Sequence, residues 1–282
     1  MADIKLFEKD PYAPIKYVYQ IDEVLYRGKS PYQEFAVVTN PFFGRMLILD
    51  GVVQFTERDE FYYHEMLAHV ALHAMPAPKN VIVIGGGDGG VIREVLKHPS
   101  VEKAYLVDID SEVTRVSREY FPSVSSGLSD PRVVEAPMDG AIFMEQFQGT
   151  ADAILVDSTD IVGFAKSLFT PEFFGRAARI LGDKGVFVTL SESMHFHLPM
   201  VREVQNTLKK SFPVADLYTA PIATYGGNWW CFAVGSNGGT DIRTQARPAV
   251  SPTRYYCDDI HKACFLPKFL YDRMMEEGRE SM

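Results

Sequence analysis

Residues 81–90 read Val81-Ile82-Val83-Ile84-Gly85-Gly86-Gly87-Asp88-Gly89-Gly90. Four apolar, mostly β-branched residues predict a buried strand. The glycines then open Val91-Ile92-Arg93-Glu94-Val95-Leu96, which has helical spacing. A strand, a glycine turn and a helix N-terminus together predict a nucleotide-cofactor site, because a chain stripped of side chains lets a ligand approach the backbone. Asp88 is the unusual member. A carboxylate inside such a turn suits a cation and repels an anion, which argues against a phosphate or a free carboxylate as the guest. About twenty residues on, Ala104-Tyr105-Leu106-Val107 predicts a second strand ending in Asp108-Ile109-Asp110, and an acid at that distance is where doubly wound folds hold a ribose diol.

On the C-terminal side the chain keeps alternating strand and helix. Further strands are expected at Val133–Glu135, Ala153–Val156, Gly185–Leu190 and Trp229–Val234. That alternation predicts an α/β fold with a Rossmann-like, mostly parallel sheet of the class I methyltransferase type, covered on both faces. On the N-terminal side, Lys16–Gln20, Glu34–Thr39 and Arg45–Leu49 have strand character, with turns at Asn40-Pro41 and Asp50-Gly51. Phe61–Met75 is expected to be a helix and Met75–Asn80 a linker. The organisation read from this pattern is a small antiparallel β domain with its linking helix over residues 1–75 and a catalytic domain over 76–282.

Composition sets outer limits. A chain of 282 residues with 46% hydrophobic residues can bury a substantial core. Its net charge of −9 argues against nucleic acid and against an anionic membrane surface. Cys231, Cys257 and Cys264 lack metal-ligand spacing and cannot all pair, which fits a cytoplasmic setting. Neither a signal peptide nor a membrane-spanning run is expected.

Ligands in such sheets sit at the carboxyl ends of the strands. Asp88, Asp108, Asp139, Asp157 with Asp160, and Glu192 each follow a strand, and Tyr225 lies in a later loop. Any one of these acids could be a turn or helix-capping residue. Several on one edge raise one another's pKa and call for a cation or a catalytic task nearby.

These residues resemble the polyamine aminopropyltransferases. The resemblance runs through Ser30-Pro31-Tyr32-Gln33, Leu49 to Phe61, Tyr63-His64-Glu65-Met66, Gly85 to Gly90, Arg93-Glu94-Val95, Asp157-Ser158-Thr159-Asp160, and Tyr255-Tyr256 with His261. It implies transfer of the aminopropyl group of decarboxylated S-adenosylmethionine, a co-substrate rather than a cofactor, to an amine such as putrescine, with no metal. It also implies site residues: Asp157 as general base, with Asp160 orienting the acceptor amine. Asp88 would take the donor's ammonium, Asp108 its ribose, and Asp139 with Gly140 its adenine. Gln33, Tyr63 and His64 would line the donor and acceptor sites, and Glu192 and Tyr225 would stand near the acceptor's distal amine. A homodimer or homotetramer is implied as well.

The chemistry gives the acids a reason. A sulfonium donor with an ammonium tail must meet a diammonium acceptor, and one acceptor nitrogen must lose its proton before it attacks carbon. Departures from the family pattern cluster near the acceptor. Ile161 and Phe164 replace two usual prolines, Asp108 stands where glutamate is usual, and Ser191 replaces a glycine. Without the prolines, residues 158–168 are expected to be mobile when empty, with Phe164 adding bulk near the acceptor channel. Cadaverine, agmatine or spermidine remain open as acceptors. A silent nucleoside- or polyamine-binding paralogue and an S-adenosylmethionine methyltransferase are the alternatives from other functional classes.

Overall fold

A computed structural model describes residues 4–161, 163–276 and 278; Val162, within the expected lid, lies outside them. The chain opens with a hairpin of β1 (Ile4–Lys9) and β2 (Lys16–Ile21). An antiparallel meander follows: β3 (Glu23–Lys29), β4 (Glu34–Asn40), β5 (Gly44–Leu49) and β6 (Val52–Thr56). Helix α1 (Glu60–His73) leads into the large unit.

That unit contains β7 (Asn80–Gly85), α2 (Gly90–Leu96), β8 (Lys103–Val107), α3 (Ser111–Tyr120), β9 (Val133–Glu135), α4 (Gly140–Gln146) and β10 (Ala153–Asp157). It continues with α5 (Pro171–Leu181), β11 (Val186–Ser193), α6 (Leu198–Leu208), β12 (Val214–Pro221), β13 (Trp229–Ser236), α7 (Asp258–Ala263) and α8 (Lys268–Met275). The sheet order is β12-β13-β11-β10-β7-β8-β9. Strands β11, β10, β7, β8 and β9 run parallel, and β13 pairs antiparallel with both β11 and β12. Chain order reverses between β7 and β10, where Gly85 pairs with Asp157. A crevice opens at such a switch point, and ligands bind there. Strands β7 and β10 are covered on both faces, which is why Val81–Ile84 and Ala153–Val156 are apolar without alternation.

Helix α1 is buried all round: only Tyr62 of its fourteen residues is not buried. Grouped with the N-terminal unit on sequence, it packs into the core of the large sheet through Tyr63, Met66, Leu67, Val70 and Ala71. Its polar residues are buried with partners: the Glu65 carboxylate accepts the backbone N–H groups of Arg254, Tyr255 and Tyr256 at 2.7–2.8 Å. The meander sits over α3, with Phe35, Leu47, Leu49 and Phe55 on Val113, Val116 and Phe121. Tyr256 and His261 hydrogen-bond to each other at 2.7 Å.

Candidate active site

A cavity of about 310 Å³ lies at the switch point, roofed by the meander and the β1–β2 hairpin. Gln33, Tyr63, His64, Asp88, Asp108, Asp139, Gly140, Asp157, Asp160 and Tyr225 all line it. Glu192 does not; it is fully buried and reaches Ile161 and His197.

The glycine run lets two strand-end acids approach. A Cβ on Gly86 would stand 2.6 Å from Asp157 Oδ2, and one on Gly87 would stand 2.7 Å from Asp108 Oδ2. Any side chain there would push the carboxylates out of the cleft. Gly90 is equally constrained, since its Cβ would lie 2.2 Å from the His64 ring. Asp108 accepts Gly87 N–H at 2.9 Å and Asp110 N–H at 2.8 Å. Burial outweighs these bonds and pushes it up to about 6. Asp110 in turn accepts Ser30 Oγ–H and the Gln33 side-chain amide, which fixes Gln33 at the cavity wall. Asp139 caps α4, with Oδ1 taking the N–H groups of both Ala141 and Ile142.

Asp157 ends β10. Burial first, and the Asp88 charge second, push its carboxyl up to about 7. Its Oδ2 is buried without a hydrogen-bond partner, and so is the neighbouring Tyr63 hydroxyl. Tyr225 packs edge-on against Tyr63 with ring centres 5.7 Å apart, and its hydroxyl donates to Gln54 O at 2.6 Å. Asp160 is pushed up to about 8 by burial and then by the Glu192 charge.

His64 places a cation among these acids. Its Nδ1 lies 2.6 Å from Glu60 Oε2 and its Nε2 lies 3.4 Å from Asp88 Oδ1. Burial alone would lower it, but the charge of Asp88 and the hydrogen bond and charge of Glu60 hold it up at about 9. Arg93 donates to Glu60 at 2.8 Å and closes the cluster.

Three histidines within metal-ligating reach of one another, His69, His73 and His98, lie outside the cavity. All six ring nitrogens there already face protein groups. His98 lies against Arg247 and His69, His69 against Glu94, and His73 against His69 O and Val250 N–H. The guanidinium opposes a second cation, so this cluster is a hydrogen-bond network.

The hairpin contributes residues that were not singled out on sequence. Glu8, Asp10 and Tyr17 line the end of the cavity beyond Asp160, together with His197. A strand is expected on sequence at Lys16–Gln20, which holds Tyr17, but none over β1, so Glu8 and Asp10 carry no sequence signal and the fold has to bring them within reach. Phe164 is 66% exposed and meets Tyr32 across the mouth, with ring centres 6.0 Å apart. That places it beside the neighbour of Gln33.

Strand-end acids, a glycine turn and a carboxyl of raised pKa thus meet in one cavity at the switch point of an α/β sheet. The comparisons narrow this. Residues 60–245 match the spermine/spermidine synthase domain, and residues 6–57 match the spermidine synthase tetramerisation domain. The chain is 51% identical over 275 residues to polyamine aminopropyltransferase 1 of Aquifex aeolicus (strain VF5), covering 98% of each. It is 44% identical over 255 residues to polyamine aminopropyltransferase of Bacillus subtilis (strain 168), covering 90% of this chain and 92% of that one. A crystal structure of spermidine synthase in complex with the transition-state analogue AdoDATO superposes with TM-score 0.89 at 34% identity, covering 96% and 94%. Spermidine synthase from Thermotoga maritima gives TM-score 0.87 at 33% identity with the same coverage. The chain belongs to the spermine/spermidine synthase family, whose relatives here are polyamine aminopropyltransferases.

Proposed function

We propose that the protein transfers the aminopropyl group of decarboxylated S-adenosylmethionine to putrescine, giving spermidine and methylthioadenosine. The observation that carries this reading is Asp157. It is a buried carboxyl raised to about 7, at the switch point, between the donor-side acids and Asp160. A base with that pKa takes a proton from an ammonium at neutral pH and releases it afterwards.

The reaction then runs as a single displacement. Asp157 accepts a proton from the acceptor ammonium, assisted by the Tyr63 hydroxyl beside it. The freed nitrogen lone pair attacks the aminopropyl carbon bonded to sulfur. The C–N bond forms as the C–S bond breaks, and the bonding pair returns to sulfur, leaving a neutral thioether that needs no acid. Asp88 holds the donor's aminopropyl ammonium, Asp108 and Gln33 the ribose, and Asp139 with Gly140 the adenine. Asp160 orients the acceptor amine, with Glu192 behind it. Tyr225 closes the wall beside Tyr63. No cofactor and no metal enter this scheme.

Self-association as a homodimer or homotetramer fits the tetramerisation-domain match over residues 6–57. Among the described residues no helix is long and apolar enough to cross a membrane. The three cysteines are unpaired, which suits a reducing cytoplasm.

The test is competition among putrescine, cadaverine, agmatine and spermidine for decarboxylated S-adenosylmethionine, with Asp157→Asn as control. Putrescine should give the highest kcat/KM. Asp157→Asn should lower kcat by about 10² to 10⁴ while methylthioadenosine still binds. A variant keeping more than about half of the wild-type kcat would remove Asp157 from the base role. Another amine winning the competition would change the acceptor and leave the reaction class standing. Turnover of intact S-adenosylmethionine by methyl transfer would overturn the reading.

A further inference from the structure

The far end of the cavity contains a charge arrangement that the scheme above does not use. His197 sits between β11 and α6 and is 5% exposed. Its Nε2 lies 2.9 and 3.1 Å from the two oxygens of Asp10, in the turn between β1 and β2. Its Nδ1 lies 3.3 Å from Glu192 Oε2, yet both of these buried atoms lack a partner with hydrogen-bond geometry. Glu192 Oε1 accepts the Ile161 N–H at 3.2 Å, and Asp10 Oδ1 accepts the N–H groups of Tyr12 and Ala13. Glu192 is also held at φ +70°, a left-handed conformation that costs a non-glycine residue energy and recurs at functional sites. One imidazole thus joins the acceptor wall, the segment after Asp157 and the N-terminal hairpin.

We propose that His197 is a positioning residue for the acceptor, a resident cation whose charge the acceptor's far ammonium takes over, so that amine binding drives a proton off His197. This rests on the diamine reading of the site.

Electrostatics and geometry point the same way. Asp10, Glu192 and Asp160 face the imidazole from three elements, and the Tyr12 ring stands edge-on to it at 4.9 Å. Burial acts to lower His197, but the nearby Glu192 carboxylate and then the Asp10 carboxylate, which also bonds Nε2, raise it. In the empty site the imidazolium lets the carboxylates coexist out of water. An arriving ammonium faces the same acids and repels the imidazolium, so the lower-energy bound state has a neutral ring. A buried ion pair lacking hydrogen-bond geometry is the contact an incoming donor can most readily replace.

The experiment uses NMR of the histidine rings. The chain has seven histidines, so the His197 signal can be assigned as the one missing from His197→Gln. If that variant does not fold, Asp10→Asn, which keeps the ring but removes its partner, identifies the signal by a selective shift. The signal is titrated with pH in the methylthioadenosine complex, with and without putrescine. Putrescine should move the midpoint to lower pH by about one unit or more. In parallel, His197→Gln should flatten the rise of acceptor KM toward low pH, a change in pH profile that a purely structural role would not produce. If calorimetry records putrescine binding but the midpoint stays within about 0.2 unit, the proposal falls and the diamine reading stands. If none of the amines binds, the diamine reading itself fails.

Discussion

His64 is a cation among the acids of the site, and on the proposed function that site must also receive cations, which sets the chemistry of its neighbours. Held between Glu60 and Asp88, it lowers Asp157 against the burial and the Asp88 charge that raise it. Asp157 must be ionised to accept a proton, so activity should rise with pH through a midpoint near 7 in the wild type. Removing the imidazolium removes a nearby charge that favours the ionised form. His64→Gln should therefore move the acidic limb of the kcat profile to higher pH by about one unit. The shift is read from the limb midpoint, which is separable from any loss in the plateau. A limb that stays in place or moves to lower pH would show that His64 is neutral in the working enzyme. Asp88 and Asp157 were legible in the sequence because each follows an apolar strand, and strand ends converge. The charge on His64 was not legible. It depends on Asp88 from the glycine turn as well as on Glu60 one helical turn away, and only packing brings α1 against that turn.

Elements decide how the cleft closes. After β10 the chain gives the Ile161 N–H to Glu192, and then makes a 3₁₀ turn over Gly163–Phe169 that carries Phe164 to Tyr32. The missing prolines were visible in the sequence, and so was the expectation of a mobile lid. The partner of Phe164 was not, because Tyr32 lies more than a hundred residues earlier. For the same reason Asp10 went unassigned: it is 187 positions from the His197 it contacts. Local patterns specify elements, whereas contacts between elements come from topology. The edge-on pair predicts what truncation does. Phe164→Ala should reduce hydrogen-exchange protection over residues 163–169 in the empty protein, and methylthioadenosine with putrescine should restore part of it. Substrate KM should rise while single-turnover chemistry holds within about two- to threefold. Equal protection in wild type and variant would show that the Phe164–Tyr32 contact does not hold the lid.

At the scale of the whole molecule, the cleft concentrates groups that the fold prefers protonated. Asp157 is raised to about 7, Asp160 to about 8 and His64 to about 9. In the unfolded chain carboxyls titrate near 4 and histidine near 6.5. For all three, the folded state holds its proton to higher pH than the unfolded state does. Their contribution to stability is therefore complete below the unfolded values and is lost as pH rises through the folded ones. Groups shifted the other way do not interfere above about pH 7. Glu60 and Glu94 are lowered to about 2, and what they contribute is lost only in acid. Buried His73 is lowered to about 3 and is already neutral. The melting temperature of the empty protein should then fall steadily between about pH 7 and pH 9. Methylthioadenosine with putrescine should counter that fall, because the ionised carboxylates are the form that binds ammonium groups, and primary amines stay charged up to about pH 9. The ligand-induced rise in melting temperature should be larger at pH 9 than at pH 7. Scanning calorimetry at both pH values, with and without the ligand pair, measures this directly. An empty protein equally stable at both, or a ligand effect that shrinks with pH, would mean that the acids at the switch point are already ionised and balanced before substrate arrives.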